Sequence, residues 1–207
     1  MSGESGWIDH RFVVGARGWD HDAWVGDFYP DDLPGEWRLG FYANEFPGVL
    51  IPETEWSGVG ESEWEEWCDE VPEGFSFYLE LSATSGECLH QLESCAVSLG
   101  DRLKGVLLQG DAVVVAGSLR VPLLMSVDHD EGDGAYLVAV DQGTGRKGVL
   151  LDSGYMPDLR SLRKLLESLE YSDGADSITP VLFVGGKTPD VGKVREAKTL
   201  LELMGLL

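Results

Sequence analysis

From Arg11 to Gln109, short apolar runs ending in glycine or proline alternate with stretches whose apolar residues recur at helical spacing. A chain with that rhythm has few ways to fold. Arg11–Val14 (RFVV), stopped by Gly15, reads as a buried strand, with Gly18 marking the turn after it. Leu39, Tyr42, Ala43 and Phe46 then make a helical stripe closed by Pro47-Gly48. Val49–Ile51 reads as the second strand, and Ser62 as the cap of a helix burying Trp64, Trp67, Cys68 and Val71. After Pro72-Glu73-Gly74, residues 75–81 alternate: Phe75, Phe77, Leu79 and Leu81 share one face and Ser76, Tyr78 and Glu80 the other. One face therefore packs on helices while the other lines an interior. Leu89, Leu92, Ala96 and Leu99 form the next helix and Gly105–Gln109 the next strand. Strand, helix, strand, helix implies parallel strands joined by right-handed crossovers, an α/β fold.

Between Gly110 and Gly154 the rhythm breaks. Apolar runs at Ala112–Ala116, Val121–Val127, Tyr136–Val140 and Val149–Leu151 are separated by segments too short for a crossover helix, so hairpins are expected, with turns at Asp128–Gly134 and Gln142–Gly145. The α/β pattern resumes with a helix through Leu159, Leu162, Leu165, Leu166 and Leu169, a strand at Val181–Val184, and a helix through Val191, Val194, Leu201 and Met204. The 207 residues are enough for one sizeable core, so residues 1–207 are expected to be a single domain.

The net charge of −22 is unevenly spread: residues 1–100 carry 21 acids against 3 bases, the remainder 16 against 12. Such a field repels nucleic acid and anionic membranes, and either serves solubility or attracts a basic protein. No apolar run approaches the roughly 18 residues of a membrane span, and Met1–His10 has no export-signal pattern, so a cytoplasmic location is expected. Cys68, Cys88 and Cys95 are odd in number and lack metal spacing, and are expected to be reduced thiols. No cofactor or metal motif is present.

The first half resembles the YecE-like family, TIM-barrel proteins of unassigned function. The resemblance rests on Gly15-Ala16-Arg17-Gly18-Trp19 and Asp22–Pro30 (DAWVGDFYP), where the family reads G-T-S-G-W followed by W-x-G-x-F-Y-P. Phe41-Tyr42-Ala43, Trp67 with Pro72–Phe75, and Asp101-Arg102-Leu103 leading to Leu107-Leu108-Gln109 extend it. It implies a TIM-barrel-like chain: parallel βα units at both ends, a shortened, partly hairpin-like middle, and an incomplete or distorted barrel. Departures fall at the strand ends, where such barrels carry chemistry. The family's V-E-I-N is Val49-Leu50-Ile51-Pro52 here, its lysine after strand three is Glu80, and its proline-rich segment after Gln109 is missing. These losses speak against the family's own activity, whatever it is.

Gly185-Gly186-Lys187-Thr188 follows an apolar strand and precedes a helix with Pro189 at its first turn. Free amides, flexible glycines and a lysine suit a phosphate or carboxylate; the plain alternative is a tight turn with Thr188 as helix cap. It is not a P-loop, since Val181 stands where the first glycine is needed. Arg17 is a second anion-binding candidate, with Trp19, Trp24 and Tyr29 walling a pocket, unless it merely pairs with a neighbouring acid. Glu53, Glu55 and Glu80 follow successive strands, and Glu80 is the candidate general base. Asp20-His21-Asp22 and Asp128-His129-Asp130 carry metal-ligand types, but Gly132 falls one position early for a calcium loop, and solvated loops are expected. Two functions stay open: a non-catalytic or relic barrel binding a small anion or a basic protein, and an enzyme acting on a phosphorylated or carboxylated small molecule. The enzyme requires Arg17, Lys187 and Glu80 to open into one pocket.

Overall fold

The computed structural model describes residues 12–82, 86–109, 123–130, 135–141, 147–152, 154, 157–168 and 180–207. In chain order the elements are β1 (Val13–Ala16), α1 (Arg38–Ala43), β2 (Gly48–Ile51), α2 (Glu53–Trp56), α3 (Glu61–Glu70), β3 (Ser76–Leu81), α4 (Gly86–Leu99) and β4 (Leu103–Leu108). There follow β5 (Leu123–Asp130), β6 (Ala135–Asp141), β7 (Lys147–Asp152), α5 (Leu159–Ser168), β8 (Val181–Gly185) and α6 (Val191–Leu203).

The eight strands form one mixed sheet in the order β1-β8-β7-β6-β5-β4-β3-β2. All neighbours are parallel except β5–β6 and β6–β7, which are antiparallel. The expected hairpins in the middle are therefore present: four residues join β5 to β6 and five join β6 to β7, too few for a helix. The apolar run Ala112–Ala116 lies outside the described residues. Strand β5 runs further than expected, so Asp128-His129-Asp130 is its last turnward stretch, paired with Leu137, Tyr136 and Ala135, and not a loop. An antiparallel ladder continues as long as both backbones face each other, whatever the polarity of the side chains.

Alternation along β3 sorts the core as expected. Phe75, Phe77, Leu79 and Leu81 join a helix-backed cluster with Trp56, Trp64, Leu92 and Leu99. Tyr78 instead meets Val13, Leu50, Leu107, Leu124, Leu150, Val181 and Phe183, one cluster fed by seven strands on the sheet's other face. Strands from both ends of the order meet in that cluster, so the sheet curls until β1 and β2 adjoin. No ladder joins them; they share a single parallel bridge, Arg17–Leu50, where Gly18 N–H donates to the Leu50 carbonyl at 2.8 Å.

Tyr42 of α1 supplies what the missing ladder does not. Its buried hydroxyl accepts from Ala16 N–H at 2.7 Å and donates to the Gly48 carbonyl at 3.0 Å, pairing one orphan group on each strand. The approach also dictates glycine: a Cβ on Gly15 would lie 1.9 Å from the Gly48 carbonyl oxygen. Strand β1 runs through Gly15 to Ala16, because both stay in register with Phe183 and Val184 of β8, and does not stop at Val14 as the glycine suggests.

Other boundaries shift modestly. Gly60, not Ser62, precedes α3, and the one-turn helix α2 is additional. Helix α5 is capped by Asp158, whose Oδ1 accepts from Arg160 and Ser161 amides at 2.8 and 3.0 Å. Neither Cys68 nor Cys95 is in a disulfide, and the Cys88 side chain lies outside what the structure describes.

Candidate functional site

Because β1, β3, β4, β7 and β8 run in one direction, their carboxyl ends share one edge of the sheet. A cavity of about 260 Å³ opens there. Arg17 follows β1, Glu80 lies near the end of β3, and Gln109 follows β4. Leu150, Leu151 and Asp152 of β7 and Gly185-Gly186 at the end of β8 complete the wall. Leu150 presents its side chain to the inner cluster, giving the cavity an apolar side.

Glu80 is almost fully buried and fully engaged. Arg17 Nε lies 2.8 Å from both carboxylate oxygens and Nη2 lies 2.6 Å from Oε2, while Gln109 Nε2 donates to Oε1 at 2.7 Å. The hydrogen bond and charge of Glu80 raise the Arg17 guanidinium above its ordinary range against the opposing effect of burial. Arg17 keeps about a third of its side chain exposed, and its Nη1 has no partner among the described residues.

Around this pair stand other ionisable groups. Burial raises the Glu55 carboxyl above the usual range; Arg17 pulls it back, and Asp20 and Glu80 push it further up. Burial lowers the His21 imidazole, whose Nε2 lies 3.0 Å from the Arg17 carbonyl and whose ring meets Trp24 edge-on at 4.6 Å. Glu53 accepts from the amide and hydroxyl of Ser82, both at 2.6 Å, and so closes the loop after β3.

The glycine-lysine turn differs from its expected form. Helix α6 starts at Val191, and its cap is Asp190, not Thr188; Pro189 stands before the cap and not in the first turn. Asp190 Oδ1 accepts from Gly192 and Lys193 amides at 2.9 and 3.3 Å, so the chain's own carboxylate occupies the first-turn donors that an anion would use. Gly185 and Gly186 reach the cavity, with Gly186 at φ +96°, a left-handed conformation that suits glycine. Lys187 is not among the lining residues.

The three aromatic residues expected as pocket wall are core instead. Trp24 is 3% exposed and donates from Nε1 to the Pro189 carbonyl at 2.7 Å, tying the loop after β1 to the start of α6. Tyr29 donates to the Trp19 carbonyl at 2.5 Å, and Trp19 packs edge-on to Trp67 at 4.7 Å. Large aromatic surfaces on a folded-back loop are buried by the hydrophobic effect before any pocket claims them. Asp20 and Asp22, expected in a solvated loop, both pair with Arg38, the second at 3.0 Å. Among the described residues no three His, Cys, Asp or Glu side chains group as a metal site requires, and no helix is long and apolar enough to cross a membrane.

The sequence reasoning missed Gln109 and Asp152 as cavity residues. The signal for Gln109 was available, since it ends a parallel strand as Glu80 does one strand over. Asp152 was hidden behind the hairpins, because its side of the sheet depends on how many strands reverse.

Taken together these features define a mixed α/β protein with a polar cavity at the carboxyl ends of its parallel strands. Residues 13–109 match the model of a family described as "Protein of unknown function DUF72". Among solved structures the chain is similar to a DUF72 family protein (TM1631) from Thermotoga maritima MSB8, with a TM-score of 0.61 and 16% identity over 93% of this chain and 100% of that one. No curated protein matches.

Proposed function

We propose that this chain is a YecE-like, TIM-barrel-like single domain that binds a small molecule at the carboxyl ends of its strands without transforming it. The observation that carries this reading is the state of Glu80. A general base needs a carboxylate oxygen aimed at substrate, whereas both Glu80 oxygens are taken by Arg17 and one also by Gln109. Lys187 does not line the cavity, so the convergence an enzyme would need is incomplete. The barrel reading is supported by the inner cluster drawn from seven strands and by the bridge between β1 and β2. At about 260 Å³ the cavity sits just below the usual range of roughly 300–1,000 Å³ for ligand sites, which favours a small ligand.

The test is an NMR screen of small polar molecules against the isotopically labelled full chain. Saturable shifts at the Arg17, Gln109, Gly185 and Gly186 amides with no change in the added molecule are expected. Product formation that disappears in Glu80→Gln would overturn the non-catalytic reading, and a pocket that no small molecule perturbs would overturn the site.

A further inference from the structure

The charge balance of the cavity specifies its ligand more narrowly. Arg17 is the single cation among the described lining residues, and its Nε and Nη2 are committed to Glu80. Asp152 adds a second carboxylate at the end of β7: its Oδ1 accepts from the Gly154 amide at 2.7 Å, and it has no ion pair among the described residues. Glu55, also without an ion pair among the described residues, lies near enough for the charges of Arg17 and Glu80 to act on its carboxyl. With Glu80 offsetting Arg17, the described lining is left with the charge of Asp152, while Glu55 stands outside the lining, its Oε2 3.3 Å from where a Cβ on Gly18 would lie. An anion could reach only the remaining Nη1 of Arg17, whose charge Glu80 already offsets, and would do so beside the carboxylate of Asp152. A cation meets the reverse.

We propose that the cavity selects a small organic cation, a short alkyl chain ending in a primary ammonium, with Asp152 accepting from the ammonium and Leu150 facing the alkyl part. This rests on the reading of the cavity as a binding site and adds the sign and shape of the ligand. Glu80 then acts as a built-in counter-anion that weakens the hold of Arg17 on carboxylates and phosphates.

The experiment compares n-butylammonium, n-butyrate and 1-butanol at matched ionic strength, following the amides of Arg17, Gly185 and Gly186 in the labelled full chain. Butylammonium is expected to shift them saturably, 1-butanol more weakly, and butyrate not at all. Asp152→Asn keeps an oxygen for the Gly154 amide and should weaken butylammonium about three- to tenfold, the worth of one nearby partly screened charge. Glu80→Gln should weaken butylammonium similarly and let butyrate bind. Butyrate binding to the wild type as tightly as butylammonium, or indifference of butylammonium to Asp152→Asn, would overturn the proposal. So would a cavity that takes neutral molecules from the wider screen but not butylammonium, a result that leaves the binding site itself standing. If no molecule of any charge perturbs these amides, the site reading falls first and the proposal with it.

Discussion

The two antiparallel pairings of the middle and the meeting of β1 with β2 solve the same problem by opposite means. Strand β6 is held by seven register pairs to β5 and five to β7, all backbone to backbone. Between β1 and β2 there is one bridge, one backbone hydrogen bond from Gly18, and a tyrosine hydroxyl standing in for the rest. A ladder tolerates many side chains, because its donors and acceptors belong to every residue. A seam closed by a side chain does not: it depends on the Tyr42 hydroxyl and on the absence of a Cβ at Gly15. Sensitivity to substitution should therefore concentrate at the seam.

The largest expected effect is Gly15→Ala. A methyl group 1.9 Å from the Gly48 oxygen cannot be accommodated without parting β1 from β2, so a loss of about 3 kcal/mol or more, or failure to fold, is expected in urea denaturation. A near-neutral result would mean that the two strands are not in contact. Tyr42→Phe keeps the packing but leaves the buried Ala16 amide and Gly48 carbonyl without their bridge, at a cost of about 1–3 kcal/mol. Hydrogen exchange sharpens the comparison, since the Ala16 amide should lose protection in this variant while the β5–β6 amides keep theirs.

Asp190→Ala probes the outer side of the seam, where Ala197 and Leu201 of α6 pack with Phe12 and with Val14 of β1. Loss of the cap should cost about 1 kcal/mol, read from the same denaturation series. It also frees the first-turn amides, so a phosphate-dependent gain in melting temperature, at matched ionic strength, should be larger in this variant than in the wild type.

The smallest effect has the opposite sign. The folded state raises the Glu55 carboxyl above its unfolded value, so the fold favours the protonated form and loses stability as pH rises through that elevated range. Glu55→Gln should match the wild type in acid and exceed it near neutrality by a few tenths of a kcal/mol, small because part of the side chain stays open to solvent, which screens the effect. Equal pH profiles for the two proteins would remove Glu55 from the electrostatics of the cavity.

Much of this architecture was legible in the amino-acid sequence. Periodicity alone separated the helix-facing residues of β3, Phe77 and Leu79, from the inward Tyr78 and Glu80, because side-chain direction along a strand follows a strict period of two. Short spacings foretold the antiparallel pairs of β5, β6 and β7, because four or five residues cannot carry a crossover. Glu80 and Arg17 were recognisable as strand-end residues for the same reason.

What only the tertiary structure decided was partnership. That Arg17 meets Glu80, 63 positions away, and that Gln109 joins them, depends on β1 curling round to the far end of the sheet. That Trp19, Trp24 and Tyr29 became core, and that Asp190 took the amides foreseen for a ligand, followed from competition among neighbours for the same surface and the same donors. Local sequence states what each residue can offer. Which offer is taken depends on distances set by packing, and no window of adjacent residues contains them.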